Sequence, residues 1–197
     1  MISKRLRLGL VAAGLALAGC GSVPPLNFSV PNVGPSRTHL DADLRTITVT
    51  AGRPDETTGP LPIDQGTLGV WKEALQEAIT RMAIFNDDSR RRVSLQVKIL
   101  KIEIPTAGIS FTTNTDARYE LVDRSTGSII LSQQISSSGT TPGDFAYLGF
   151  ARARESVNRA VQNNIALFLQ SLETARLDQP LFPAPRPTAE VPAGPAS

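Results

Sequence analysis

Between residues 44 and 174 the apolar positions of this chain change period from segment to segment, and each change marks an element. Residues 44–50 (LRTITVT) alternate and are rich in β-branched side chains, which predicts a strand. A Gly- and Pro-rich loop over residues 52–66 follows. Leu68, Trp71, Leu75, Ala78, Ile79 and Met82 then recur at helical spacing, with Asp64 or Thr67 as the N-cap and Trp71 and Met82 on the core stripe. Residues 86–92 form a polar turn. Beyond it Val93, Leu95, Val97 and Ile99 alternate with polar residues, but from Leu100 onward the apolar set is Leu100, Ile102 and Ile104. A period-2 pattern cannot change face without an extra residue, so a β-bulge is predicted near Ile99–Leu100.

Ala117, Tyr119 and Leu121 alternate again, and DRSTG over residues 123–127 supplies a hairpin turn into a last strand over residues 128–138. Phe150, Val157, Val161, Ile165, Phe168 and Leu172 make the stripe of an amphipathic helix of about seven turns. The predicted order is β-α-β-β-β-α. Because the middle strands are polar on one side, the expected fold is α/β in content and α+β in class. It is a single domain with a mostly antiparallel sheet and both helices packed on one face.

The flanks read differently. Residues 1–19 begin with Lys4, Arg5 and Arg7, continue as an apolar run too short to span a bilayer, and end in small residues, as export signals do. Residues 20–43 carry Pro24, Pro25, Pro31 and Pro35 and read as an extended tether. Residues 175–197, with six prolines from Pro180 to Pro195, read as a disordered tail. The expected domain therefore spans residues 44–174.

The signal ends on Leu17-Ala18-Gly19-Cys20, and Cys20 is the only cysteine. This tetrapeptide resembles the lipobox of bacterial lipoproteins. The resemblance implies cleavage between Gly19 and Cys20, a diacylglycerol on the thiol and a third acyl chain on the new amino group. Ala16-Leu17-Ala18 also fits an ordinary secretory cleavage site, which would leave a soluble protein with a free thiol. Gly21, where an Asp would favour inner-membrane retention in enterobacterial lipoproteins, implies sorting to the outer membrane, facing the periplasm.

Charge and composition then narrow the function. The chain has 20 Lys and Arg against 18 Asp and Glu, and the loss of Lys4, Arg5 and Arg7 with the signal leaves 17 against 18. The basic balance thus belongs to the signal and gives no support for nucleic-acid binding. His39 is the only histidine and lies in the tether, so a zinc or haem site and a Ser-His-Asp triad lack residues. No phosphate-binding glycine motif is present. No cofactor is expected beyond the covalent diacylglycerol and N-acyl chain on Cys20.

Three surface features remain. Asp87-Asp88 beside Arg90-Arg91-Arg92 reads first as a solvated, self-paired turn. Its sharper reading makes Arg90, Arg91 and Arg92 an anion or partner contact, for a lipid headgroup or lipopolysaccharide phosphate. The run from Ser136 to Gly143 (SSSGTTPG) reads as a polar connecting loop or a partner surface. Ile109-Ser110-Phe111 is an apolar spot between two strands.

Element order, the helix containing Trp-Lys-Glu-Ala-Leu, the strand from Ser94 to Ile99, Tyr119-Glu-Leu-Val-Asp123 and the closing helix together resemble small α/β periplasm-facing bacterial lipoproteins. These include the auxiliary lipoproteins of ABC-type lipid transporters. The resemblance brings no catalytic residues. It implies a non-enzymatic lipoprotein, held to the membrane by its lipid, that binds or bridges envelope proteins or lipids. Narrower is an auxiliary subunit of a lipid-transport or outer-membrane maintenance complex. From another class comes an envelope hydrolase using Asp87 and Asp88.

Overall fold

A computed structural model describes residues 23–178. The signal, Gly19, Cys20 and the tail beyond residue 178 lie outside the described residues. Four strands and two helices appear in the predicted order: β1 (Asp43–Ala51), α1 (Gln65–Met82), β2 (Arg92–Glu103), β3 (Phe111–Asp123), β4 (Ile129–Thr141) and α2 (Gly149–Glu173). The sheet runs β1-β2-β3-β4. The first pairing is parallel, across the α1 crossover, and the other two are antiparallel.

Local signals explain the boundaries. Asp64 is the N-cap of α1, and its carboxylate accepts from the Thr67 amide at 2.7 Å. Gly127, at φ 73°, closes the β3–β4 turn, where a left-handed residue is required. The register of β2 against β3 slips between Ile99 and Lys101, so the bulge falls at Leu100 as the phase change predicted. Beyond it Ile102 stays buried, while Lys101 turns to the outer face opposite Asp116.

Both helices cover the same face. Tyr119 of β3 is fully buried, its ring stacks on Phe168 of α2 at 4.1 Å, and its hydroxyl donates to Asn164 at 2.8 Å. Trp71 of α1 lies in the same core. Asn164 also donates to the Ile135 carbonyl at 2.9 Å and the Ser137 hydroxyl at 3.1 Å, so this buried amide is well partnered. Burial pushes the Tyr119 phenol well above its ordinary 10.0. Tyr119→Phe is expected to cost about 1–3 kcal/mol in urea unfolding, because Asn164 loses the donor to its buried oxygen.

Residues 23–42, read from the sequence as a tether, instead form a strap across the helices. Phe28 and Ala42 are fully buried, and Val30 and Leu40 nearly so. The Phe28 ring meets Trp71 edge-on at 6.0 Å. The Asn27 amide donates to Asn158 Oδ1 at 3.0 Å, and Asn158 Nδ2 donates to the Pro25 carbonyl at 3.0 Å. The Ser29 hydroxyl donates to Glu77 at 2.6 Å, and the Ser36 amide to the Met82 carbonyl at 2.7 Å. The strap therefore starts beside α2 and runs to the C-terminal end of α1. Phe28→Ala is expected to cost about 3–5 kcal/mol, the range for a deleted core aromatic, and thermal or urea unfolding measures it. A true tether residue would leave stability unchanged. The first residues after α2 are also docked: Leu177 is buried, and its carbonyl accepts from Arg91 at 2.7 Å.

The last strand, read from the sequence as ending at Ser138, continues through Thr141, so most of the polar run 136–143 is strand and not connecting loop. Its end lies under α2, where the Ser137 hydroxyl donates to the Ala160 carbonyl at 2.9 Å. A Cβ at Gly139 would stand 2.6 Å from the Ser156 carbonyl oxygen and would collide with the Ala160 amide. Glycine here is a packing requirement, since helix and strand backbones meet with nothing between them.

Candidate functional site

The sequence placed an anion contact on Arg90, Arg91 and Arg92; the fold keeps Arg90 and Arg91 on one cavity and turns Arg92 to another. Arg91 turns inward to the Leu177 carbonyl and stands 3.5 Å from Asp123. Asp123 is held below its ordinary 3.8 chiefly by the Ser125 hydroxyl and amide, with Arg91 a smaller contributor. Arg90 stays exposed beside a shallow cavity of about 670 Å³ that Arg91, His39 and Asp88 also line. The self-paired turn is not observed. Among the described residues no ion pair joins Asp87 or Asp88 to the arginines, and the Asp88 amide is instead taken by the Asn86 side chain at 3.1 Å. Asp88, Arg90 and Arg91 therefore share a cavity without forming an ion pair, and only Arg92 leaves the group.

Arg92 joins a different group. At the start of β2 it lines a cleft of about 200 Å³ with Arg45 and Arg124. Arg45 is paired with Asp43, while among the described residues neither Arg92 nor Arg124 has a carboxylate in salt-bridge range. The Asp43–Arg92 pairing of the parallel strands and the bond from the Arg124 amide to the Arg92 carbonyl bring the three together. The sequence carried no signal for this cluster, because its members sit 47 and 32 positions from Arg92 and only strand register unites them.

The two sheet edges differ. Edge β4 is capped by α2: Asn163 donates to the Ser138 carbonyl at 2.8 Å and Arg159 to the Thr140 carbonyl at 2.9 Å. Edge β1 is less covered. Beside it, Leu44, Ile47, Ile79 and Phe85 line a cavity of about 590 Å³ between β1 and α1, and Thr46 and Thr48 on the strand are exposed. An edge strand next to a partly apolar groove can accept a partner's extended segment.

Past the end of β1 the loop over residues 52–62 takes over the edge of β2. The Thr58 amide donates to the Leu100 carbonyl at 3.1 Å, and the Ile102 amide to the Pro60 carbonyl at 2.8 Å. Glu56 pairs with Lys98 at 2.6 Å, and Asp116 accepts from the Thr58 hydroxyl at 2.6 Å beside Lys101 at 3.3 Å. Burial pushes the Asp116 carboxyl up, but Thr58, Ser136 and Lys101 outweigh it and hold it below 3.8. The Lys98 hydrogen bond and the Arg53 amide lower Glu56 from 4.5. Groups depressed in the folded state stabilise it above their unfolded values and lose that contribution as pH falls through the folded ones. Urea stability is therefore expected to be flat from neutral pH to about 4 and to decline below it. Asp116→Asn is expected to weaken that decline and to lower stability at neutral pH.

Asp87 and Asp88 are exposed, and among the described residues no group of His, Cys, Asp and Glu side chains could hold a metal ion. No described helix is long and apolar enough to cross a membrane.

A further cavity, of about 580 Å³, opens where the N-termini of α1 and α2 meet the end of β2. Leu26, Leu61, Ile63, Ile104 and Phe150 supply its apolar lining, with Asp64 and Arg154 at its rim. Its surroundings are apolar as well: Ile109 is 82 % exposed, Tyr147 97 %, Phe150 55 % and Phe145 44 %. The predicted spot Ile109-Ser110-Phe111 divides here, since Phe111 is buried at the start of β3.

A four-stranded mixed sheet with two helices on one face, in the order β-α-β-β-β-α, defines the structural class: a small α+β domain. Among solved structures it shares its fold with a Xanthomonas campestris protein of the DUF330 family. The identity is 11 %, the match covers 77 % of this chain and 93 % of that one, and the TM-score is 0.53. Looser likenesses join it to a PelC dodecamer subunit from Paraburkholderia phytofirmans (15 % identity, 73 % and 94 % covered, TM-score 0.43) and to a minor lipoprotein from Acinetobacter baumannii (10 %, 69 % and 93 %, 0.40). No protein-family model and no curated relative matches the sequence.

Proposed function

We propose that this protein is a lipid-anchored, non-enzymatic lipoprotein of the outer membrane, facing the periplasm, that binds or bridges envelope components. The observation that carries the reading is Leu17-Ala18-Gly19-Cys20 at the end of a short apolar run behind a basic start. Gly21 supports outer-membrane sorting. Two surfaces suit the binding role: the β1 edge with its groove for a protein segment, and the arginine cluster of Arg45, Arg92 and Arg124 for a phosphate-bearing lipid or lipopolysaccharide. The intact mass of the mature protein tests the anchor. A chain beginning at Cys20 and carrying three acyl chains is expected; one beginning at Gly19 with a free thiol overturns the reading.

The narrower role, an auxiliary subunit of an ABC-type lipid-transport or outer-membrane maintenance complex, draws its support from the exposed β1 edge. A photo-crosslinking residue in place of Thr48 reports what lies against that edge in cells. Capture of a permease or substrate-binding subunit is the expected result for the transporter role. Capture of outer-membrane proteins alone leaves the broader envelope role and removes the narrower one.

A further inference from the structure

We infer that the end of the domain formed by the β2–β3 loop, the β4–α2 loop and the start of α2 rests directly on the bilayer, as a lipid-contacting surface. The inference rests on the lipid-anchor reading and adds an orientation to it. Only Gly21 and Ser22 separate Cys20 from Val23, the first described residue. Three peptide steps span at most about 11 Å, so Val23 must lie within that distance of the acylated cysteine. The strap then fixes where Val23 is. Pro25 and Asn27 are hydrogen-bonded to Asn158 on α2, and Leu26 lines the same cavity as Phe150. From there the chain runs away, toward the C-terminal end of α1. A domain on a long tether could face any direction, whereas one with its strap docked has a single end near the membrane.

That end is where the exposed apolar side chains collect. Of the seven large hydrophobic residues exposed in the described chain, Ile109, Phe145, Tyr147 and Phe150 lie here, and Val23 precedes the strap beside it. The two loops are locked together, since a Cβ at Gly143 would strike Ile109, and Arg152 holds the Tyr147 carbonyl at 3.0 Å while lying over the Phe111 ring at 5.5 Å. Aromatic side chains on an ordered rim suit the headgroup–acyl boundary, where an apolar ring and a polar tip are both satisfied. Charge does not drive the contact. Asp64 and Arg154 both line the cavity, and Glu103, Asp144 and Arg152 lie on the strand end, loop and helix that form this end, so both signs are present. Attachment is then expected on zwitterionic lipid and to be little affected by salt. The arginine cluster, at the opposite end of β2 and β3, is carried about 40 Å from the bilayer, the length of a 13-residue strand. A phosphate-bearing lipid or lipopolysaccharide bound there is then one outside the bilayer that holds the anchor, and not a lipid of that bilayer.

Cys20, when acylated, has no free thiol, so one introduced cysteine can carry an environment-sensitive fluorophore. Full-length acylated protein with Tyr147→Cys, or with Ser128→Cys in the far hairpin, is labelled and reconstituted into phosphatidylcholine vesicles. Co-flotation, a blue-shifted emission at 147 and loss of that emission with doxyl-labelled lipid, with the 128 label unchanged from water, is the expected result. Co-flotation with both labels water-like, or with the 128 label quenched instead, overturns the docking and leaves the anchor standing. Failure of the protein to float removes the anchor reading, and the orientation falls with it.

Discussion

Cys20→Ala is expected to move the protein from the membrane fraction to the soluble periplasmic fraction almost completely. Each buried methylene contributes about 0.8 kcal/mol, so a single acyl chain binds reversibly while two or more hold effectively for good. On the lipid-anchor proposal, alanine removes the site of the diacylglycerol and the cleavage chemistry that would expose the amino group for the third chain. Release then depends on cleavage at the ordinary site Ala16-Leu17-Ala18, after which only the exposed apolar end proposed above could touch lipid, and reversibly. Cell fractionation reads the result. Wild-type protein in the soluble fraction would point to cleavage after Ala18 instead. A variant that still sediments with membranes would show that something other than the lipid holds the chain.

The second large effect is at Gly139. Gly139→Val is expected to cost about 3 kcal/mol or more, the upper end of the range for overpacking, because the new methyl groups meet backbone rather than a movable side chain. The Cβ position lies 2.6 Å from the Ser156 carbonyl oxygen and from the Arg159 carbonyl carbon. Relief requires α2 to lift from β4, which strains the bonds from Ser137 to Ala160, Asn163 to Ser138 and Asn164 to Ile135. Gly69 makes the contrast. It sits inside α1 with nothing within 4 Å of the point a Cβ would occupy, so Gly69→Ala should stabilise by about 0.5–1 kcal/mol through helix propensity. Urea unfolding of both variants measures the two signs side by side. Equal stability at Gly139→Val would mean that helix and strand are farther apart than described.

The strap and the β4 extension show why some of the fold was hidden. Leu26, Phe28 and Val30 do alternate with Asn27 and Ser29, but the stretch is only five residues long between Pro25 and Pro31, so the prolines outweigh its strand-like period and it reads as tether, and Leu40 stands alone. They are held one at a time, each by a pocket that exists only once the helices are packed. Residues 136–141 are polar and uncharged, and their value lies in backbone and hydroxyl contacts with α2 rather than in apolar side chains. A reading built on hydrophobic pattern does not register the second, and it holds only a short signal for the first. The arginine cluster was hidden for a related reason, since Arg45, Arg92 and Arg124 are neighbours only through strand pairing.

Other features were legible because their cause is local. The period of the apolar residues distinguished helices from strands. A one-residue phase slip located the bulge at Leu100, since side chains on a strand must alternate whatever packs above them. Asp64 capped α1 because an unpaired amide three residues on needs an acceptor. By itself, then, the sequence determined the order and kind of the elements and the polar outer face of the sheet, and it carries the motif on which the anchor proposal rests. Only the tertiary structure decided strand order, the docking of residues 23–42, the parting of Arg92 from Arg90 and Arg91, and which end of the domain collects exposed aromatic side chains. Those depend on contacts between residues far apart along the chain, and their energies exist only after the helices and sheet have met.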